Sequence, residues 1–264
     1  MQGLVIILVL SDYFAKAVKH TMKIATWNVN SLNVRAPQVL DWLTTEQPDV
    51  LCLQETKIED HKFPYEALAD IGYQAVHLGQ KTYNGVAIIS RHPIEDVAFD
   101  IPDWQDPQKR VVAATIDGLR IVCVYIPNGQ SVGSDKYAYK LNWLSALTAY
   151  LQQQLVAYPK LALLGDYNIA PDDRDVYDPA AWAGNVLVSE PEREAFRQLL
   201  ALGLHDSFRV LEQPEKLYSW WDYRMVAFRR NMGLRIDHIL ISTPLVTAVK
   251  ASWIDKAPRK LERH

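Results

Sequence analysis

Six polar residues of the 264-residue chain lie in or just beyond strand-like runs: Asn28, Glu55, Tyr125, Asp166, Asn168 and Asp237. Polar groups at strand ends are held rigidly by a sheet and reach a shared edge, so they suit a catalytic constellation. Each also has an ordinary reading. Asn28 with Asn30 is turn chemistry, Glu55 is a loop acid, and Gly165-Asp166-Tyr167-Asn168 is a plain turn. Asp237 is the least ordinary, because it interrupts Leu234-Arg235-Ile236-Asp237-His238-Ile239-Leu240-Ile241 and an ionisable group in an apolar strand is costly unless paired. Carboxylates and amides without a Cys/His cluster point to a hard, oxygen-liganded cation, Mg²⁺ with Mn²⁺ as the alternative.

The elements needed to position these groups are legible. Lys23 to Trp27 reads as a strand running into Asn28, and Asp49 to Gln54 as one ending at Glu55. Further strands are expected at 73–78, 85–90, 111–116 and 119–126, with Asn84-Gly85 and Asp117-Gly118 as hairpin-type turns. Leu161 to Leu164 leads into Asp166, and Arg235 to Ile241 and Val246 to Trp253 are two more strands. Helical spacing occupies 36–46, 63–71 and 136–157, and Ser189 with Glu192 forms a capping box for a helix through Leu202. Hairpin-linked strands with helices between groups of them predict two mixed or antiparallel sheets flanked by helices. No repeat or linker divides residues 22–264, so a single domain is expected.

Hydrophobic residues at 49% and charged residues at 22% exclude disorder, collagen and coiled coil. Cys52 and Cys123 sit in apolar runs and read as small buried hydrophobes, which fits a reducing cytoplasm. Residues 216–264 carry ten Lys/Arg against four Asp/Glu, whereas the rest carries 18 against 27. A basic end on an acidic body suits contact with a polyanion at one edge, or is a solvated face. Gly3 to Leu10 is apolar but under half a bilayer span, without the flanks of a signal peptide. Residues 1–21 are therefore expected to be a leader or a start assigned too early, outside the fold, with a weak membrane anchor as the alternative.

Five segments appear in order: Trp27-Asn28-Val29-Asn30-Ser31-Leu32, Leu53-Gln54-Glu55-Thr56-Lys57, Tyr125-Ile126-Pro127-Asn128-Gly129, Gly165-Asp166-Tyr167-Asn168-Ile169-Ala170-Pro171 and Gly233-Leu234-Arg235-Ile236-Asp237. With Trp220-Trp221-Asp222-Tyr223-Arg224 and Lys136-Tyr137-Ala138-Tyr139-Lys140-Leu141, the set resembles the exonuclease III family of the endonuclease/exonuclease/phosphatase superfamily, from Met22 to about Arg263. The resemblance implies a four-layer α/β sandwich (DNase I-like) and an Mg²⁺-dependent monomer acting in the cytoplasm at the nucleoid. The implied activity is incision 5′ to abasic sites and 3′→5′ exonuclease action on double-stranded DNA. It implies metal ligation by Glu55 with Asn28, Asp166 and Asn168. It further implies a water-activating role for Asp166, phosphate contact by Tyr125 and an orienting role for Asn168. Trp220, Leu234 and Ile236 resemble the pocket for a baseless sugar, with core packing as the other reading of Trp220 and Trp221. Lys109, Arg110, Lys136, Lys140, Arg224, Arg229 and Arg230 are candidate phosphate contacts, which position without reading sequence.

The family closes with Ser-Asp-His, a Pro and a final strand, and that His pairs with the Asp matched here by Asp237. The chain stops at Lys260-Leu261-Glu262-Arg263-His264, where the motif should begin. His238 is no substitute, because neighbours on a strand point to opposite faces. The expectations are an impaired site around Asp237, a missing last strand and a bare sheet edge. Two other functions stay open: a phosphoesterase for a small or lipid phosphodiester, and a non-catalytic DNA-binding protein.

Overall fold

Leu8, Ile24, Cys52 and Ile88 from one sheet meet Ile121, Leu164 and Ile239 from another, and together they form the central apolar layer. In a computed structural model that describes residues 5–15 and 18–260, these alternating side chains belong to two six-stranded sheets packed face to face. The first sheet has the order β14-β1-β2-β3-β5-β4. Its strands are β1 (Val5–Ala15), β2 (Val18–Asn28), β3 (Val50–Gln54), β4 (Gln74–Leu78), β5 (Val86–Ser90) and β14 (Val249–Asp255). The second runs β10-β13-β9-β8-β7-β6. It is built from β6 (Glu95–Phe99), β7 (Val111–Ile116), β8 (Leu119–Tyr125), β9 (Leu161–Asp166), β10 (Leu204–Asp206) and β13 (Asp237–Ser242). A short ribbon pairs β11 (Trp220–Trp221) with β12 (Gly233–Leu234).

Each sheet has an outer apolar face that must be covered. Trp27, Leu51 and Leu53 on the first pack under Val39, Trp42 and Leu43 of α1 (Leu32–Glu46) and Leu68 of α2 (Tyr65–Asp70). Val122, Leu163 and Leu240 on the second pack under Trp143, Leu147 and Leu151 of α3 (Asp135–Ala157) and Phe196 and Leu199 of α5 (Glu190–Ala201). A one-turn helix, α4 (Pro179–Trp182), precedes α5. The result is the expected four-layer α/β sandwich of DNase I-like form. The expected capping box is present at Ser189, with Glu192 closing it. Among the described residues, no helix is long and apolar enough to cross a membrane.

Two strand pairs are parallel, one in each sheet. In the first sheet β2 pairs with β3 and α1 makes the crossover; in the second β8 pairs with β9 and α3 makes it. Parallel partners require such a crossover, and their carboxyl ends lie on one side. Asn28 and Gln54 end one pair in register, Tyr125 and Asp166 the other. Gly165 permits the second pair, since a Cβ there would lie 1.9 Å from the Val124 carbonyl oxygen.

The leader expectation is corrected. Val5–Ala15 lies inside the first sheet, antiparallel to β14 on one side and β2 on the other. The apolar run is a strand buried on both faces: Ile6, Leu8 and Leu10 enter the central layer, and Val5 and Ile7 the layer under α1. A run too short for a bilayer is long enough for a strand. β2 is paired on both sides, by β1 and β3, and so presents no bare edge. Residues 1–4, 16–17 and 261–264 of the two end segments lie outside the described residues. The structure also contains β6, absent from the sequence reading. It is an edge strand with largely exposed residues and a register shift between Glu95 and Ala98.

Candidate active site

The two parallel pairs deliver their polar ends to one place. Asn28, 3% exposed, donates from Nδ2 to Glu55 Oε1 at 2.9 Å and to Asp166 Oδ2 at 2.8 Å, joining the sheets through one amide. Its Oδ1 accepts from the Asn30 amide at 3.0 Å, so turn chemistry and site chemistry coexist in this residue. Glu55 leaves β3 with φ of 52°, a conformation disfavoured for a residue of its size. That turn is held by the Thr56 and Lys57 amides on the carbonyls of Gly85 and Asn84. Lys57 Nζ lies 2.8 Å from Glu55 Oε2.

Asp166 is the electrostatic centre. Its Oδ1 accepts the Asn168 amide at 2.9 Å. Burial, and next to it the charge of Glu55, push its carboxyl up to about 7, against the lowering hydrogen bond from Asn28. Asp237 pairs in register with Asp166 across β13 and β9. Burial first and Asp166 second raise the Asp237 carboxyl well above the usual range. Neither carboxylate oxygen of Asp237 has a hydrogen-bond partner among the described residues. Ser219 Oγ instead takes the backbone amides of Ile236 and Asp237, at 3.0 and 3.1 Å. Tyr125 sits at the end of β8, and burial together with Glu55 and Asp166 keeps its phenol neutral, an O–H donor. Asn168 is held at both amide atoms: Oδ1 accepts from Asn128 Nδ2 at 2.9 Å, and Nδ2 donates to the Ile126 carbonyl at 3.0 Å. These six residues are thus brought together as expected from their strand ends.

The basic residues divide. Arg110 donates to the Tyr125 carbonyl at 3.1 Å, and its guanidinium lies 4.8 Å from the Tyr125 ring centroid. Arg110 and exposed Lys136 line a cavity of about 580 Å³ that reaches Tyr125 and Asn128. Arg224, Arg229 and Arg230 are exposed on the 222–232 loop, Arg224 forked to Asp222. Lys109 is paired with Asp100 at 3.0 Å. Lys140 is a correction: its side chain is 0% exposed, paired with Glu192 and bonded to the carbonyls of Asn128 and Asn168. A cation so enclosed meets no phosphate.

Trp220, Leu234 and Ile236 do converge, packed with Ala170, Val176, Leu187 and Val188. They are 7%, 0% and 2% exposed, so a sugar enters only if this wall yields. Trp221 belongs to a separate core cluster with Tyr218 and Ala227. Behind the site, buried Arg235 forks to Asp175 and Asp206 and donates to His238 Nδ1 at 2.9 Å. His238 faces away from Asp237's neighbours, as strand alternation requires, with Nε2 at 2.9 Å from the Ile169 carbonyl. The sequence reading passed over Lys57, Asn128 and Ser219, although the first two stand within motifs it singled out.

Comparison with known proteins agrees with this geometry. Residues 25–259 match the Endonuclease/Exonuclease/phosphatase family. Exodeoxyribonuclease III of Haemophilus influenzae is 35% identical over 237 residues, covering 85% of this chain and 89% of that protein. The solved structure of the 3′ phosphatase NExo from Neisseria, bound to a product DNA hairpin, superposes with a TM-score of 0.90. The two are 49% identical, with 92% of this chain and 95% of that one covered. An AP endonuclease from Archaeoglobus fulgidus gives 0.88 at 39% identity, covering 91% and 94%. The chain belongs to the endonuclease/exonuclease/phosphatase family, as an enzyme of the exodeoxyribonuclease III and AP endonuclease type.

Proposed function

We propose that this enzyme hydrolyses phosphodiesters of duplex DNA with a divalent cation, Mg²⁺ by preference, cutting 5′ to abasic sites and trimming 3′ ends. The observation that carries the reading is the Asn28 amide bridging Glu55 and Asp166 beside the unpaired carboxylate of Asp237. Three acidic groups, with Lys57 against Glu55, fit a hard cation, although among the described residues no three carboxylate, His or Cys side chains already converge as a ligand shell. Glu55 would hold the cation, with Asn28 beside it through the lone pair of Oδ1 that the Asn30 amide does not take, and Asp166 at its edge; Asn168 would orient the substrate. The cation supplies charge to offset what develops on the phosphate oxygens. Asp166 would take the proton of an attacking water, and the neutral Tyr125 hydroxyl would donate to a phosphate oxygen. Exposed Lys136 and Arg224 would hold neighbouring phosphates.

A second reading is favoured by the closed wall around Trp220 and by the likeness to a protein described as a 3′ phosphatase. On this reading the site works on 3′ termini, including 3′ phosphates, more readily than on internal abasic sites. Three end-labelled duplexes decide: one with an internal abasic analogue, one with a recessed 3′ hydroxyl and one with a 3′ phosphate, each with Mg²⁺ and with chelator. Processing of at least one is expected, lost with chelator and lowered at least about 100-fold in Asp166→Asn. Trp220→Ala and Leu234→Ala should depress abasic incision selectively. No processing of any duplex by the wild type would sink the proposal.

A further inference from the structure

A lysine and a glutamate, both fully buried, lie one layer beneath the site. Lys140 Nζ donates to the carbonyls of Asn168 at 2.7 Å and Asn128 at 3.2 Å, and its third partner is Glu192 Oε1. Three N–H donors thus meet three acceptors, which saturates an ammonium. The glutamate is equally committed: it accepts the amides of Leu187 and Ser189, both at 3.1 Å, and the Ser189 hydroxyl. Tyr137, one turn before Lys140 on α3, closes on Ser189 from the other side at 2.6 Å. The fit is tight, since a Cβ on Gly129 would come within 3.1 Å of Lys140 Cδ.

The segments joined this way are the ones that must agree in position. Asn168 and Asn128 bond to each other side chain to side chain. Leu187, with φ of 78° and its carbonyl on the Ala170 amide at 2.7 Å, belongs to the wall around Trp220. A surface lysine would cost nothing to place here; a buried ion pair is expensive to desolvate and weak evidence for stability alone.

We propose that the Lys140–Glu192 pair is a positioning device for the reaction, in which Lys140 fixes the Asn168 and Asn128 loops together while Glu192 ties them to the Leu187 wall. The proposal rests on the functional reading above, in that the Asn168 loop is taken to touch the substrate. Neither residue touches substrate itself; both act through the loops they hold.

The test uses Lys140→Met/Glu192→Gln, which removes both charges at nearly constant volume and leaves no lone buried ion. Expected are a melting temperature near that of the wild type, a kcat lower by about 10- to 100-fold and a KM within about threefold, as for a misplaced catalytic group. In an Asn168→Ala background the same double change should cost little more, because its effect passes through that residue. A folded double variant with wild-type kcat overturns the proposal, as does full additivity with Asn168→Ala. If the double variant does not fold, Lys140→Gln/Glu192→Gln, which also leaves no lone buried ion, takes its place with the same readings, and a wild-type kcat in that folded variant overturns the proposal. Hydrogen exchange separates this proposal from the functional reading, since it needs no substrate. The amides of 126–130 and 166–170 should lose about tenfold or more in protection together when the pair is removed, while the far end of α3 keeps its own. Unchanged protection in both loops overturns the positioning role even in an enzyme inactive on every DNA offered.

Discussion

Asp166 and Asp237 face each other across one strand pair, yet their surroundings differ. Asp166 has a hydrogen bond on each oxygen, whereas Asp237 has none among the described residues. A carboxyl whose folded pKa is raised destabilises the fold as pH climbs above its unfolded value near 4. Asp237→Asn, measured by urea unfolding in chelator, should therefore gain stability, by about 1–3 kcal/mol at pH 8 and much less at pH 5. A loss at pH 8 would mean that Asp237 has a partner after all. If it has none, its substitution should also cost less activity than Asp166→Asn. At this scale the sequence was most informative where a residue type contradicted its pattern, as Asp237 does in its strand. Lys140 offered the same signal and it went unread. It lies three residues after Tyr137 and four before Leu144, on the buried stripe of α3. Charge alone suggested phosphate; helical phase pointed to the interior.

At the scale of elements, Asp117-Gly118 and the Ser189 cap were legible because they act locally, whereas Asn84-Gly85 only ends the longer 79–85 loop between β4 and β5. What failed depended on partners remote in sequence. Nothing within Val5–Ala15 says that β14 and β2 will flank it, and length alone favoured a leader. Similarly β6 is exposed, so it lacks the apolar alternation that betrays a strand. If β1 is integral, Leu8→Ala, at a position 0% exposed in the central layer, should cost about 2–5 kcal/mol in denaturant unfolding. A dispensable leader would give no change. Gly165→Ala tests the second parallel pair: a Cβ forced onto Val124 should shift Asp166 against Tyr125 and lower kcat by about tenfold or more, read in steady-state kinetics on a cleaved duplex.

Across the whole molecule, the two parallel crossovers explain why one end of the sandwich carries the chemistry: each sheet contributes one, and their carboxyl ends converge. The opposite requirement, a rigid rear, is met by the Arg235–Asp175–Asp206–His238 cluster. Burial first, and the Arg235 charge second, depress His238 to about 4. The unfolded imidazole takes a proton below about 6.5 while the folded one resists until about 4, so stability is lost progressively between those values. The loss is on the order of 3 kcal/mol from this residue. Urea unfolding of wild type and His238→Gln at pH 7, 5.5 and 4.5 should show a shallower acid decline in the variant; parallel curves would refute the assignment. Asp175 and Asp206, held below the usual carboxylate range with Arg235 pairing with both, add to the decline at lower pH in both proteins.

The position of β1 also bears on how the protein is made. Residue 5 pairs with residue 255, so β1 waits for a strand synthesised about 250 residues later. Until β14 arrives, the nascent β1–β2 hairpin presents Val5 to Leu10 with one hydrogen-bonding edge open. Nascent chains in that condition depend on chaperone cover and are prone to pair with one another. Yield in a cell should therefore respond to translation rate and holdase supply more sharply than the stability of the finished enzyme would suggest.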